Sequence, residues 1–404
     1  MPTPTPFRIA IPQGKLDAIA ARVAAYQWHE MPEIADGADR WAYGTDMTYM
    51  RELCDYWLTS FDWRKAEAQL NAWPQFKLTI DGQEIHYLHI KGSGRAPQPL
   101  LLTHGWPGSV FEFYESIERL AHPENFGGKA DDGLDLVIPS LPGYGFSGKP
   151  EKPVGPKYTA ALWDKLMREG LGYKTYIAQG GDWGSVVTGW LGYLHGTDKQ
   201  GGCKAIHINM HGLRAAVLPE TPEEQSWAQT AGATLAMDGA YLQIQMTKPQ
   251  TLSYAMMDSP VGAAAWIVEK MHSWSDRRGT NRPHPHEPGH LENAFTKDQM
   301  LTDIMIYLVT DTFNTATWFY RGYMEDGGAS MAPGTRVELP TGMARFPGEA
   351  LSYCLGPRSY MEKGFNIVHW SQPDRGGHFA AFENPVGFAT DVSAFAAKIK
   401  DMGL

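Results

Sequence analysis

Cysteine is scarce in this chain. Only Cys54, Cys203 and Cys354 occur in 404 residues, far apart in sequence. Such spacing builds neither a metal knuckle nor a disulfide framework, and it suits free thiols in a reducing compartment. Long apolar runs are missing too. Nothing approaches the ~18 consecutive apolar residues that a bilayer requires. The opening "MPTPTPFRIAIPQGK" has no basic leader and no apolar h-region, so no secretory signal is expected and the protein is placed in the cytoplasm. Positive charge is in deficit, with Lys+Arg 35 against Asp+Glu 45 and a net charge of −10. That balance argues against nucleic acid and against an anionic membrane surface as partners. Internal repeats and low-complexity tracts are also absent.

What remains is ordinary globular material, 43% hydrophobic and 20% charged, and rich in Trp (14), Tyr (18) and Met (18). The length suits one decorated α/β domain or two domains. The first ~75 residues read as helical. "GKLDAIAARVAAYQW" places Leu16, Ile19, Ala20, Val23 and Tyr26 on one helix face, and "DMTYMRELCDYWLTSFDW" and "DWRKAEAQLNAW" give two further helices. "FKLTIDGQEIHYLHIKG" is a hairpin turning at Asp81-Gly82. Short buried runs then alternate with helices: "PLLLTHGW", "LDLVIPSL", "TYIAQGGD" and "CKAIHINM". This is the pattern of a parallel sheet with helices on both faces.

The alternation breaks near residue 215, gives way to a helical, polar–aromatic stretch with Pro-rich joints, and resumes with "TRVELPTGMA" and "FNIVHWSQP". A helical insertion late in such a sheet is a lid over the strand C-terminal ends, where open α/β sheets bind ligands. The expected division is therefore 1–95 (N-terminal extension and first hairpin), 96–215 (core, first part), 216–333 (helical lid) and 334–404 (core, second part).

Chemistry concentrates in three stretches. "IAQGGDWGSVV" (177–187) runs strand, tight turn, helix, with Gly180 and Gly184 flanking Asp182. This is the setting of a nucleophile elbow, with aspartate where G-x-S-x-G places serine. "THGWPGS" (103–109) fits the loop that supplies one oxyanion-hole amide, from Trp106, the second coming from Trp183 after the nucleophile. The Trp106-Pro107 bond is a candidate for the cis form. "RGGHFAAFENP" (375–385) places His378 last in the order nucleophile, acid, base. For the acid, Glu349 in "RFPGEAL" is best placed. Asp374 is the runner-up, and Glu338 lies inside a strand and would point to the wrong end.

An aspartate nucleophile changes the reaction. A carboxylate is already ionised at neutral pH and attacks without a base. It suits an activated sp³ carbon, and its own ester must then be hydrolysed, with His378 activating the water. An epoxide and a carbon–halogen bond both fit. An epoxide oxygen needs a proton as it leaves, so the lid decides, and the lid carries Tyr241, Tyr254, Tyr307, Tyr320 and Tyr323. Other features have plainer readings. "LPGYGFSGKP" (141–150) lacks phosphate-loop spacing and reads as a strand-end loop lining the pocket, while "HPHEPGH" (His284, His286, His290) is a solvated lid loop whose prolines forbid a helical ligand pair. No metal and no cofactor are expected.

The chain resembles the microsomal-type epoxide hydrolases, α/β-hydrolases with an N-terminal extension. "WAYGTDMTYMRELCDYWLTSFDWRKAEAQLNAWPQF" is similar to that extension, and "THGWPGS", "LPGYGFS", "GGDWGS", "TKPQTLSYAMMDSPVGAAAWIVEK" and "RGGHFAAFENP" match motifs of the core and lid. The resemblance implies an α/β-hydrolase fold with a helical lid before the last two strands. It implies Asp182 as nucleophile, His378 as water activator, Glu349 as acid, and Tyr241 and Tyr320 as proton donors to the epoxide oxygen. The product would be a vicinal diol from a small apolar epoxide. Tyr254 and Tyr307 are the next candidates should that pair fail. Microsomal members begin with a membrane-anchoring helix that this sequence lacks, so a soluble bacterial enzyme without a membrane anchor is expected. A homodimer is the one protein partnership left open. Two alternatives compete: a haloalkane dehalogenase with the same machinery, and a non-catalytic binding protein of the same fold.

Overall fold

The computed structural model describes residues 3–278 and 289–404. Its centre is a nine-stranded sheet in the order β1-β2-β3-β5-β4-β6-β7-β8-β9. The strands are β1 (Thr5–Phe7), β2 (Gln75–Ile80), β3 (Gln83–Ile90), β4 (Gln98–Thr103), β5 (Leu134–Pro139), β6 (Tyr176–Gly180), β7 (Cys203–Ile208), β8 (Val337–Ala344) and β9 (Phe365–Ser371). From β5 to β9 every pairing is parallel, while β1, β2 and β3 form an antiparallel edge. Strands β5 and β6 are buried at every residue, as a sheet covered on both faces demands. The β2–β3 hairpin turns at Asp81 (φ 51°) and Gly82 (φ 82°), the two left-handed residues that its tight turn requires.

The N-terminal region departs from expectation at two points. The first 75 residues are not all helical, because Thr5–Phe7 adds an edge strand to β2. Three residues interrupted by Pro6 give no readable period, and an edge strand is where a proline is tolerated. In α1 (Gln13–Ala24), Ile19 and Val23 are buried as expected but Ala20 is exposed.

Helices α2 (Met47–Thr59) and α3 (Trp63–Leu70) follow α1, each capped by an aspartate, Asp46 and Asp62. Helices α4 (Tyr114–Ala121), α5 (Pro156–Lys165) and α6 (Asp182–Leu194) belong to the sheet layers. Between β7 and β8 come α7 (Pro222–Asp238), α8 (Ala240–Thr247), α9 (Pro249–Asp258), α10 (Pro260–Trp274), α11 (Lys297–Thr310) and α12 (Phe313–Glu325). The Pro-rich joints read from sequence are helix starts: Pro222, Pro249 and Pro260 open their helices, where the missing N–H is not needed. Helix α13 (Arg358–Glu362) precedes β9, and α14 (Ala380–Glu383) and α15 (Pro385–Asp401) close the chain.

The N-terminal helices brace this insertion. Trp41 stacks on His272 with ring centroids 3.8 Å apart, Thr45 Oγ1 donates to the Ala265 carbonyl, and Tyr56 donates to Asp298. The 141–150 loop also serves the insertion and does not line the main pocket. Tyr144 donates to the Ala316 carbonyl and packs on Tyr307 and Phe319, and Thr315 donates to the Gly143 carbonyl. Of "HPHEPGH", His284 and His286 lie outside the described residues, and His290 accepts the Glu292 amide through Nδ1. Among the described residues, no helix is long and apolar enough to cross a membrane.

Asp391 of α15 bridges two imidazoles, His207 of β7 at 2.8 Å and His369 of β9 at 2.9 Å. Burial opposes its charge, but these two donors outweigh it and hold the carboxyl far below its usual range. A depressed carboxyl stabilises the fold above its unfolded pKa and loses that contribution as pH falls. Asp391→Leu should therefore cost about 3 kcal/mol of unfolding free energy at pH 7. The deficit against wild type should shrink below about pH 4. Denaturant titrations at pH 7 and pH 3.5 check this, and a deficit independent of pH would remove charge from the explanation.

Candidate active site

Strand β6 ends at Gly180 and α6 begins at Asp182, which has φ 47°, a left-handed conformation in the turn between them. The turn closes because residue 184 is glycine: a Cβ there would collide with the Thr103 carbonyl of β4. Gly105 is required for the same reason, since its Cβ would overlap the Asp182 carboxyl itself. The sequence thus forces a carboxylate out of the strand end and against the loop that follows β4.

That loop meets the carboxylate with an amide. The Trp106 N–H donates to Asp182 Oδ1 at 2.8 Å, and the Trp106-Pro107 bond is cis. His104 pins the loop. Its Nε2 accepts the Leu141 amide at 3.1 Å, so Nδ1 carries the proton and donates to the Gly105 carbonyl. Burial lowers its pKa to about 4, and it stays neutral. The Trp183 amide lies in the first turn of α6, where no intrahelical acceptor exists.

The second oxygen of Asp182 faces His378. Nε2 of His378 lies 3.1 Å from Asp182 Oδ2, and Nδ1 lies 2.8 Å from Glu349 Oε2. Glu349 Oε1 accepts the Leu351 amide, so this carboxylate is fixed at both oxygens. Burial disfavours the imidazolium, but Glu349 and Asp182 together outweigh it and raise the His378 pKa well above its ordinary value. Asp374, the runner-up for the acid, is exposed, and Glu338 pairs with Arg336 at the opposite end of β8.

Four rings roof the carboxylate. Trp106 stacks on Tyr241 at 5.4 Å and meets Tyr320 edge-on at 5.8 Å, while Trp183 meets Tyr320 at 4.6 Å. Tyr241 and Tyr320 line a cavity of about 250 Å³ that reaches Asp182 and has Val186, Leu242 and Leu351 on its walls. Burial, reinforced by Asp182, raises both phenols well above their usual range, so each holds its proton. Of the other lid tyrosines, Tyr254 is 75% exposed, Tyr307 donates to the Gly108 carbonyl, and Tyr323 packs on Trp183.

Sequence reasoning missed two residues here. Tyr353 lines the same cavity and its hydroxyl interacts with Tyr241. It sits in "LSYCLG", outside any motif. Glu383 clamps the His378 loop from both sides: Oε2 accepts the Gly377 and Asp276 amides and Oε1 accepts the Phe379 amide. Its position in "GGHFAAFE" was readable, but its role as an acceptor for His378's neighbours was not.

Two clusters have the donor atoms for a metal among the described residues, His207–His369–Asp391 and Glu349–Cys354–His378. In the second, burial and the nearby carboxylates push the Cys354 thiol up, and both nitrogens of the imidazole already face carboxylates.

Fold and site together define an α/β-hydrolase-fold enzyme with a carboxylate at its elbow. Residues 4–113 match the family described as epoxide hydrolase N terminus, and residues 98–238 match the alpha/beta hydrolase fold family. A Stigmatella aurantiaca (strain DW4/3-1) protein with epoxide hydrolase in its name is 40% identical over 96% of this chain and 83% of its own. Epoxide hydrolase 1 of Sus scrofa is 34% identical over 96% of this chain and 88% of its own. The solved Aspergillus niger epoxide hydrolase superposes with a TM-score of 0.81 at 30% identity, covering 98% of this chain and 97% of that one. The chain belongs to the epoxide hydrolases, enzymes that open an epoxide with water, and the dehalogenase reading falls away.

Proposed function

We propose that a small apolar epoxide is hydrolysed to a vicinal diol in two half-reactions divided among the residues above. Asp182 Oδ2 attacks an epoxide carbon while Oδ1 stays on the Trp106 amide. The C–O bond breaks, one of Tyr241 and Tyr320 gives its proton to the departing oxygen while the other donates a hydrogen bond to it, and the tyrosinate is reprotonated as His378 gives up its proton on esterification of Asp182. Water then gives a proton to His378 Nε2 and its oxygen to the Asp182 carbonyl carbon. The carbonyl electron pair moves onto Oδ1, where the Trp106 and Trp183 amides hold it. Collapse breaks the bond between the Asp182 carbonyl carbon and Oδ2, the diol leaves with a proton from His378, and His378 regains one from the new Asp182 carboxyl, which restores the carboxylate beside a protonated imidazole. Glu349 orients His378 throughout. Nucleic acid, metal and cofactor have no part in this reading, and a cytoplasmic location is proposed with it. Segments 1–95, 96–215, 216–333 and 334–404 serve as brace, core, lid and core. A homodimer is compatible with it.

One observation carries this assignment: the unbroken hydrogen-bonded series from the Trp106 amide through Asp182 and His378 to Glu349. The test is a single turnover in ¹⁸O-water with enzyme in excess. The first diol should be unlabelled, and the peptide containing Asp182 should carry the label. Label appearing directly in the diol would mean that water attacks the epoxide and Asp182 does not.

A further inference from the structure

A buried cation sits over one of the two lid phenols. Lys270 of α10 is 7% exposed, and its ammonium lies over the Tyr241 ring, 4.7 Å from the centroid. Lysine is rarely buried, because desolvating an ammonium is expensive. Glu269 Oε2, 2.5 Å from the Lys270 ammonium, offsets part of that cost. Ser273 donates to the other oxygen of Glu269. All three residues belong to α10, so one helix supplies the whole ion pair. One turn beyond Lys270, Trp274 packs on Tyr241 at 5.2 Å and on His378 at 4.9 Å.

The two phenols therefore differ. Both line the cavity that reaches Asp182, and burial weakens both as acids. Tyr320 packs on the neutral rings of Trp106, Trp183 and Tyr241. Among the described residues, no lysine or arginine lies over its ring, whereas Tyr241 has Lys270. A cation over a ring face is attracted by the ring's electron density, most strongly where water is excluded. The attraction grows when the phenol loses its proton, since the electron pair left on oxygen is shared with the ring. Lys270 thus interacts more strongly with the transition state of ring opening than with the resting site, which is the condition for an interaction to raise a rate.

We propose that Tyr241 is the phenol that gives its proton to the epoxide oxygen, that Tyr320 is the one that donates a hydrogen bond, and that Lys270 sets this division by stabilising the Tyr241 phenolate through its ring. The inference rests on the two-phenol reading above. In this step the Tyr241 O–H bond breaks, its electron pair stays on the phenolate oxygen, and the proton joins the epoxide oxygen as that oxygen's bond to carbon breaks. Lys270 keeps all its protons and acts through Tyr241, as a positioning residue.

The test is a comparison across backgrounds of the pre-steady-state rate of ester formation, read by acid quench and intact mass with enzyme in excess over styrene oxide. Lys270→Met keeps the length of the side chain and removes its charge. It should slow ester formation by about tenfold, the scale of one desolvated cation–π contact. In a Tyr241→Phe background, where the ring remains but no phenolate forms, the loss should be under about twofold. In a Tyr320→Phe background the full loss should return. Lys270→Arg, which keeps a cation for the ring, should stay within about threefold of wild type. A merely structural loss would act alike in every background, and it would slow ester decay as well, because the Trp274 carbonyl accepts the His378 amide. Should Lys270→Met fail to fold by circular dichroism, the tyrosines decide: Tyr241→Phe should slow ester formation about tenfold more than Tyr320→Phe does. Equal losses for the two tyrosines, a Lys270→Met that forms ester at the wild-type rate, or equal Lys270→Met losses with and without the Tyr241 hydroxyl overturn the proposal. A wild-type enzyme that forms no ester would instead overturn the reading on which it rests.

Discussion

His378→Gln should convert the enzyme into its own aspartyl ester. Alkylation needs only the Asp182 carboxylate and proton donors from the lid, so it should proceed. Hydrolysis needs a base, and glutamine supplies none. Intact mass should rise by one substrate, and turnover should fall by about 10²- to 10⁴-fold. The electrostatics of the site explain why histidine does not interfere with the first step. In the free enzyme, Glu349 and Asp182 hold it protonated against the cost of burial. Esterification neutralises Asp182 and removes one of those two charges. The imidazole pKa then drops, and a neutral base appears where water must be activated. Ester hydrolysis should therefore speed up as pH rises through the pKa of the alkylated enzyme. Glu349→Gln removes the other raising charge, so this rise should shift to lower pH at a reduced rate. The decay of preformed ester across a pH series measures both. An inactive His378→Gln that never accumulates ester would contradict this division of labour.

The second large effect belongs to the lid. Tyr241→Phe and Tyr320→Phe should each slow ester formation by about tenfold or more, and the double change should nearly abolish it, by about 10⁴-fold. An epoxide oxygen leaves as an alkoxide, whose conjugate acid is close to water at about 15.7. Burial weakens both phenols as acids, yet two of them aimed at one oxygen match its lone pairs and hold it in line with Asp182. With one phenol left, partial function remains. The readout is the pre-steady-state rate of ester formation, with decay of any ester formed unchanged. A double variant that still opens epoxides at nearly the wild-type rate would place the acid elsewhere. Tyr353 is then next, because it lines the cavity, whereas Tyr307 is committed to the Gly108 carbonyl and Tyr254 faces solvent.

The elbow was legible because its physics is local. A left-handed aspartate between glycines two residues away on either side is written in five consecutive letters, and the constraint that makes Gly184 necessary acts through the neighbouring strand end. Histidine 378 was legible for a similar reason, as the polar residue of a glycine-rich loop after the last strand. The hairpin at Asp81-Gly82 and the proline-opened lid helices were equally local. Where local signals were weak, the reading slipped. Thr5–Phe7 is too short to show a period, and the 141–150 loop looked like a pocket wall because glycine-rich loops at strand ends often are.

By itself, the sequence determined the fold class, through periodicities spanning a few residues, and the family, through its resemblance to known members, and it singled out Asp182 and His378 as candidates for nucleophile and base. The sequence ranked Glu349 first among three carboxylates, and the tertiary structure is what brings it to 2.8 Å from His378. All three are carboxylates, and position separates them: Glu349 follows the C-terminal end of β8, Glu338 lies at its start, and Asp374 is exposed after β9. The same holds for Tyr353 and Glu383. Their significance comes from contacts with residues on other elements, which sheet order and burial create and which no spacing along the chain encodes.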